Sequence, residues 1–541
     1  MGWLEDETGL RKCRVNYVPL TPLSHLNRAR EVFPSREALV YGERRYDYVQ
    51  YHERVTRLAS ALAGHGIGPG DVVSTVLPNT PAQVEAHFGV PACAAVLNAV
   101  NMRLDEITVH YILEHASSKA VIVDSQYLGV VERAMDRLSG ARPLVVEVAD
   151  IGFPKSGSYI EYEEFLAQAA LPFEWLLPAD EWESITLNYT SGTTGRPKGV
   201  VYHHRGAYLM TMGTVISWRL TLYPRYLQVV PLFHCNGWNH SWMMPALGGT
   251  LVCCRDISAK AIYGAIADEK VTHFGGAPIV LNLIANADPA DRRQFDHRVE
   301  VFTAGAPPPA AILQAVERLN FNVTQVYGLT ETYGHITECI WDDDNWSDLP
   351  STERAEIKAR QGVLFPMMEE VVVMQDGTGR QVSRDGQSLG EIHIRGNSVM
   401  KGYYRSPEAT VEAFDSGYFA SGDIAVQHPD GYIQITDRAK DIIISGGENV
   451  SSVEVESVVT RHPDVSLCAV VAKPHERWGE VPCAFVELMD GAECNEQAII
   501  DHCRSQLAGF KVPKSVHFVD LPKTATGKIQ KFQLRGLAKE L

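Results

Sequence analysis

Apolar and polar positions follow two periods along this chain. Asp71–Pro78, DVVSTVLP, is a nearly unbroken apolar run of strand length, the pattern of a strand covered on both faces. Asn79 and Thr80 follow as helix caps and Pro81 as a first-turn residue, because proline fits where a backbone N–H would have no intrahelical partner. DEITVHYILEHA then gathers apolar residues on one helical face. KAVIVD reads as a strand, LGVVERAMDRL as a helix and PLVVEV as a strand. Strands alternating with helices predict a mainly parallel sheet with helical crossovers. The alternation returns between Leu227 and Val326.

From Gly390 the period shortens. LGEIHIRGNSVMKGYY and DGYIQITDRAKDIIISGGENV hold brief β-like runs broken by glycine, which predicts antiparallel strands. Beyond DRAKD a small α/β unit is expected, with helices in VEVESVVTRH and EQAIIDHCRSQL and strands in SLCAVVAK and PCAFVEL. The polar residues Asp437 to Lys440 suit an exposed connection, so two domains are expected, 1–437 and 438–541. The 541 residues also exceed the roughly 250–300 that one core fills.

Composition narrows the function. Hydrophobic residues make up 45% of the chain, which argues against extensive disorder. Lys and Arg number 49 against 66 Asp and Glu, a net charge of −17. This balance argues against sequence-independent nucleic-acid binding, which needs clustered cations on phosphate. No apolar run approaches the roughly 20 residues of a membrane span. MGWLEDETGLRKC shows no secretory signal or myristoylation pattern, and LAKEL is neither a KDEL nor an SKL address. The ten cysteines form no Cys-x-x-Cys pair, as expected of reduced thiols in a cytoplasmic protein.

YTSGTTGRPKGV, Tyr189–Val200, is the stretch that carries chemistry. It has almost no apolar area to bury. Successive glycine and hydroxyl residues can aim backbone N–H groups at one anion, and Lys198 adds a positive charge. It is not a Walker A loop, because Pro197 and Gly199 stand where Gly and Ser or Thr are required. Taken alone, a run of this composition reads more readily as a flexible surface loop.

The stretch resembles the AMP-binding signature of the acyl-adenylate-forming superfamily, which includes acyl-CoA synthetases, peptide-synthetase adenylation domains and beetle luciferase. Further blocks follow in family order: PLFHCNGW, VFTAGAPPP, QVYGLTET, GYFASGDIA, GYIQITDRAKDIIISGGENV and LPKTATGKIQKFQLR. The resemblance spans essentially the whole chain. It implies an α/β fold with a large N-terminal domain of mainly parallel sheets, a β-rich subdomain and a small mobile C-terminal α+β domain. The implied reaction joins a carboxylic acid to ATP, giving acyl-AMP and pyrophosphate, and then transfers the acyl group to coenzyme A.

By the same resemblance, Thr190, Ser191, Gly192, Thr193, Thr194, Gly195 and Lys198 cradle phosphate. Glu331 holds Mg²⁺ with Thr190 assisting, and Thr330 and Gly328 lie beside it. Gly305, Ala306 and Pro307 meet the adenine, and Tyr327 stacks on it. Asp423 accepts from the ribose hydroxyls, and Arg438 contacts ribose or phosphate. Lys528 bridges carboxylate and α-phosphate from the mobile domain, with Lys440 as hinge. Gly446 and Gly447 line the pantetheine path, although SGGE also reads as a hairpin turn. Ile444 departs from the basic residue that many fatty-acyl relatives carry there. His234 sits beside the substrate carboxylate, and together with Trp238 and Gly305 it lines the acyl pocket.

Bulky Trp238 and Trp242 are expected to shorten that pocket and favour a short- to medium-chain acid with a neutral tail. 3-Methylthiopropionate is the specific expectation, from resemblance to bacterial ligases for that acid. A homodimer is expected. The alternatives are a medium- or long-chain fatty-acid ligase, an adenylating enzyme that does not use free coenzyme A, or a non-catalytic nucleotide-binding protein.

Overall fold

The computed structural model describes residues 10–190, 197–305, 310–375, 377–446, 448–489, 491–523 and 529–541. Within these residues the chain is an α/β protein with a large N-terminal part, a β-rich subdomain and a small C-terminal unit. Val72–Val76 is buried at every position. It pairs in parallel with Val96–Ala99 on one side and Ala120–Asp124 on the other, and Leu144–Val148 pairs in parallel beyond Ala120–Asp124. The chain thus leaves Val72–Val76 to one side and returns on the other, which makes a switch point at the carboxyl ends of these strands.

The helix Pro81–Ala92 starts at that point, with Thr80 at its cap and proline in its first turn. The Thr80 hydroxyl, however, makes no cap bond. Asn79 is not a cap either. Its amide donates to the carbonyls of Gln228 and Val230 at 2.8 and 3.2 Å and accepts from the Leu232 N–H at 2.8 Å, so it ties this sheet to the next. The helix Glu106–Ala116 lies in the stretch read as amphipathic, and Asp105 caps it: Asp105 Oδ1 accepts from the N–H groups of Ile107 and Thr108 at 2.9 Å.

A second sheet carries the later alternation. Phe321–Leu329, Val299–Thr303, His273–Gly276, Arg225–Gln228, Thr250–Cys253 and Glu37–Tyr41 lie side by side in parallel. The antiparallel subdomain begins at Met368–Gln375, well before Gly390. It continues through Gly390–Gly396, Phe419–Gln427 and Ile433–Arg438. The C-terminal unit packs Ser452–Val459, Glu496–Arg504 and Lys531–Glu540 on a sheet whose longest pair is Val465–His475 with Gly479–Leu488. Eight of the ten cysteines are buried and none is paired. Among the described residues, no helix is long and apolar enough to cross a membrane.

Asp437 is not an exposed linker residue. It is only 2% exposed because its carboxylate caps the helix Ser452–Val459. It accepts from the Ser452 N–H and, at 3.0 Å, from the Ser452 hydroxyl. Ser451 Oγ donates to the Thr436 carbonyl at 2.6 Å. A polar residue at a chain crossing has found a helix N-terminus, where a negative charge is favoured.

The two large sheets are joined by a buried ion cluster. Arg255 Nη1 lies 2.7 Å from Asp124 Oδ2 and 2.8 Å from Asp150 Oδ2, and Nη2 donates to Asp124 Oδ1 and Gln126 Oε1. All three charged side chains are under 10% exposed. Removing the cation leaves two buried carboxylates uncompensated. Arg255→Ala is expected to lower the unfolding free energy by about 3–5 kcal/mol in a urea titration. A loss under about 1 kcal/mol would show that the cluster is not structural.

Candidate active site

The glycine-and-hydroxyl stretch closes a hairpin. Ser184–Thr190 and Lys198–His203 run antiparallel, and Thr190 is the cross-strand partner of Lys198. Ser191, Gly192, Thr193, Thr194 and Gly195 lie outside the described residues. Gly199 shows how tightly the hairpin is packed, since a Cβ there would meet Leu187 Cδ1 at 2.9 Å.

Three groups line up beside this hairpin. The short strand Gly402–Tyr403 pairs with Val201 and Val200, which puts the Tyr403 ring under the Lys198 ammonium, 4.6 Å from its centroid. The Tyr403 hydroxyl donates to Glu331 Oε1 at 3.0 Å. Burial and the Glu331 charge hold that hydroxyl protonated. A cation on an aromatic face gains about 0.5–2 kcal/mol, so Tyr403 couples the lysine to the glutamate. No motif pointed to Tyr403, because its partners lie far away in sequence.

Glu331 stands on the tight turn Thr330–Thr332. Its backbone is fixed from two sides: the Tyr202 hydroxyl donates to the Thr330 carbonyl at 2.5 Å, and the Met400 N–H donates to the Glu331 carbonyl at 2.8 Å. A carboxylate near the hydroxyls of Thr330 and Tyr403 is a hard oxygen donor set, which fits Mg²⁺. Gly328 has a packing reason of its own. A Cβ would sit 1.9 Å from the Gly334 carbonyl oxygen, so only glycine lets the strands Phe321–Leu329 and Gly334–Glu338 approach. Gly305 adopts φ +97° with open space where a Cβ would be. Ala306 and Pro307 lie outside the described residues.

Tyr327, Asp423 and Arg438 come together. The Tyr327 hydroxyl donates to Asp423 Oδ2 at 2.6 Å, and Arg438 Nε lies 2.8 Å from Asp423 Oδ1. Asp423 is inside the strand Phe419–Gln427, directly across from Arg438. Each carboxylate oxygen keeps a second lone pair for a further donor. Burial, and then the Asp423 charge, raise the Tyr327 hydroxyl well above its usual range, so it remains a donor at any physiological pH.

His234 is half-buried and leads into an unusual turn. Cys235, Asn236, Gly237, Trp238 and Asn239 all have positive φ, between 45° and 65°. Each non-glycine residue in this region costs roughly 1–2 kcal/mol. Contacts on both sides hold the turn. Thr186 Oγ1 donates to Asn236 Oδ1 at 3.1 Å, Asn239 Nδ2 donates to the Tyr333 carbonyl at 2.7 Å, and Gly237 fits against Gln228. The turn lays the Trp238 ring on the backbone of Gly275, where a Cβ would come within 3.1 Å. Trp242 is fully buried, and its indole N–H donates to the His87 carbonyl at 2.9 Å. Burial pushes the Cys235 thiol up to about 12, which excludes a thiolate nucleophile there.

Lys528 and Gly447 lie outside the described residues. The chain on both sides of Lys528 is clamped. Lys523 bridges to Ile529 and lies 2.9 Å from Glu487. Lys531 is 2.7 Å from Glu456 and donates to Ser452 Oγ at 2.6 Å. Because Ser452 also serves Asp437, hydrogen bonds run from the domain connection to the segment carrying Lys528. Lys440 is exposed, four residues before Ile444. Ile443–Ser445 and Glu448–Val450 pair antiparallel, and at Gly446, just after the first of them, a Cβ would meet the Trp478 ring at 2.9 Å.

A family model described as AMP-binding enzyme matches residues 26–404, and one described as AMP-binding enzyme C-terminal domain matches residues 454–528. The peroxisomal acetate/butyrate–CoA ligase of Arabidopsis thaliana is 49% identical over 99% of this chain and 97% of its own. The acetate–CoA ligase of Humulus lupulus is 48% identical over 99% and 98%. The solved o-succinylbenzoate–CoA synthetase of Bacillus subtilis, in complex with its acyl-adenylate intermediate, matches with a TM-score of 0.80 and 26% identity, covering 94% of this chain and 97% of that one. Relatives named as peroxisomal overturn the cytoplasmic expectation; net charge and unpaired thiols carry no compartment address.

The turn at His234 yields a test of its own. Gly237→Ala combines a left-handed φ with a Cβ only 2.7 Å from Gln228 Nε2. It is expected to cost about 1–3 kcal/mol of stability, read as a lower Tm. An unchanged Tm would mean the turn relaxes freely.

Proposed function

This chain belongs to the AMP-binding enzyme family and is an AMP-forming acid–thiol ligase, and on that premise we propose that its substrate is a short carboxylic acid with a neutral tail. The observation that carries this reading is the Trp238 ring, held on the backbone of Gly275 by a turn that also positions His234. A rigid indole at that place limits the depth available to an acyl chain. The names of the Arabidopsis and Humulus relatives, for acetate and butyrate, agree with it.

In the first half-reaction a carboxylate oxygen attacks the α-phosphorus of ATP, the bond to pyrophosphate breaks, and acyl-AMP forms. Little proton transfer is needed, so positioning and charge neutralisation provide the catalysis. Lys198 and the hairpin loop face the phosphates, Asp423 takes the ribose hydroxyls, and His234 orients the carboxylate without acting as a base. Glu331, assisted by Thr190, would hold Mg²⁺, which when bound supplies charge neutralisation on the triphosphate. Lys528 brings its ammonium to the carboxylate and α-phosphate from the 438–541 unit. That unit then turns about Lys440, so that the sulfur of coenzyme A attacks the acyl carbonyl and AMP leaves.

The deciding experiment scores coenzyme-A-dependent AMP release with acetate, butyrate, 2-methylpropanoate, 3-methylthiopropionate, hexanoate and palmitate. The short acids are expected to give the highest kcat/KM. Trp238→Ala is expected to move the optimum to longer chains, by about 1–3 kcal/mol per accommodated methylene. Palmitate outpacing butyrate in the wild type would refute the assignment. Separately, Lys528→Ala is expected to slow pyrophosphate release by about 100-fold or more, on the scale of losing a fixed transition-state charge. Thioester formation from supplied acyl-AMP should stay within about tenfold of wild type. An equal loss in both halves would exclude the two-position scheme.

A further inference from the structure

The switch point of the eight-stranded sheet holds a cleft that none of Lys198, Glu331 and Asp423 lines. It encloses about 430 Å³ and is lined by Tyr41, Arg44, Tyr46, Thr80, Asp150 and Glu161, among others. It opens at the carboxyl ends of Val72–Val76 and Leu144–Val148, at the N-terminus of the 12-residue helix Pro81–Ala92. In open α/β sheets this is the place where ligands bind.

Two buried polar atoms there have no hydrogen-bond partner among the described residues. Thr80 is 3% exposed, and its hydroxyl is unpaired. The Asp150 side chain is 4% exposed. Its Oδ2 accepts from the Tyr41 hydroxyl and from Arg255, while its Oδ1 has no hydrogen bond. Buried polar atoms are nearly always satisfied, and both of these belong to the wall of one cleft.

The charges define what would satisfy them. Arg54 is taken by Glu85 and Glu163, and Arg255 by Asp124 and Asp150. Arg44 Nη2 lies 4.0 Å from Asp150 Oδ1, within ion-pair reach but too far for a hydrogen bond, so both groups keep hydrogen-bonding capacity. Glu161 uses Oε2 to accept from the N–H groups of Glu163 and Glu164. A simple anion would meet Asp150 and Glu161. A simple cation would meet Arg44 and the positive end of the helix. A molecule carrying both an ammonium and a carboxylate meets neither objection. Its carboxylate can take the Thr80 hydroxyl, the helix N-terminus and Arg44, and its ammonium can donate to Asp150 Oδ1 and Glu161. We propose that this cleft binds a small zwitterion of the amino-acid class, at a site distinct from those for ATP, acid and coenzyme A.

The test is equilibrium dialysis and thermal unfolding of the full chain with each proteinogenic L-amino acid in turn. The N-acetylated and decarboxylated forms of any that bind serve as controls. At least one amino acid is expected to raise Tm with one bound per chain, and both controls should bind at least about tenfold more weakly, on the scale of one lost charge-assisted hydrogen bond. Thr80→Val removes a hydroxyl with no internal partner. It should therefore keep the unliganded Tm while weakening binding about tenfold, and Arg44→Ala should weaken it similarly. An amino acid held through its carboxylate at the catalytic site would keep its affinity in both variants, and that result would overturn the proposal. So would the absence of binding by any of the amino acids.

Discussion

The site depends first on one piece of strand pairing, that of Thr190 with Lys198. A glycine-rich stretch has large conformational entropy and no apolar area with which to oppose it. Here its two ends are fastened as cross-strand neighbours in a sheet whose three central strands are buried throughout. That pairing gives Lys198 a fixed direction, and the next strand over, Gly402–Tyr403, supplies the ring on which its ammonium rests. Tyr403 then reaches Glu331. A charge that would otherwise wander on a long stem is thereby tied to the carboxylate that fits a divalent cation.

The C-terminal unit is joined to this frame through one strand that acts on both sides. Side chains alternate across a strand, so Asp437 and Arg438 point opposite ways. Arg438 faces the Asp423 and Tyr327 cluster, and Asp437 faces the helix Ser452–Val459. Through Ser452 and Lys531 the second contact extends to the segment that carries Lys528. The connection between the two units is therefore part of the machinery on each side of it.

How much of this was legible in the sequence follows from which interactions are local. The buried strands Val72–Val76 and Ala120–Asp124 read directly, because parallel strands covered on both faces are continuous apolar runs. The cap at Asp105 was not called, although its partners are only two and three residues away. Tyr403 did not, since its meaning depends on the register with Val200 and on a turn seventy residues upstream. Asn79 and Asp437 misled for one reason: polarity reports that a residue needs partners, not where they are. Asn79 found them on the neighbouring sheet and Asp437 on a helix of the C-terminal unit. Met368–Gln375 was overlooked because two adjacent glutamates, Glu369 and Glu370, interrupt its apolar pattern. Trp242 shares a motif with Trp238 but lies on the far side of a turn that no propensity rule anticipates. The remaining residues of the phosphate stretch, with Ala306, Pro307, Gly447 and Lys528, rest on resemblance alone.

That turn also limits how the protein can change. Five successive left-handed residues rotate the chain in a sense opposite to any ordinary helix, and both ends are fastened to neighbouring strands. Inserting or deleting one residue would swing the indole off its glycine seat and break the anchoring amide bonds together. The segment's length is thus frozen, and this part of the scaffold can change only by exchanging side chains, not by growing or trimming the loop.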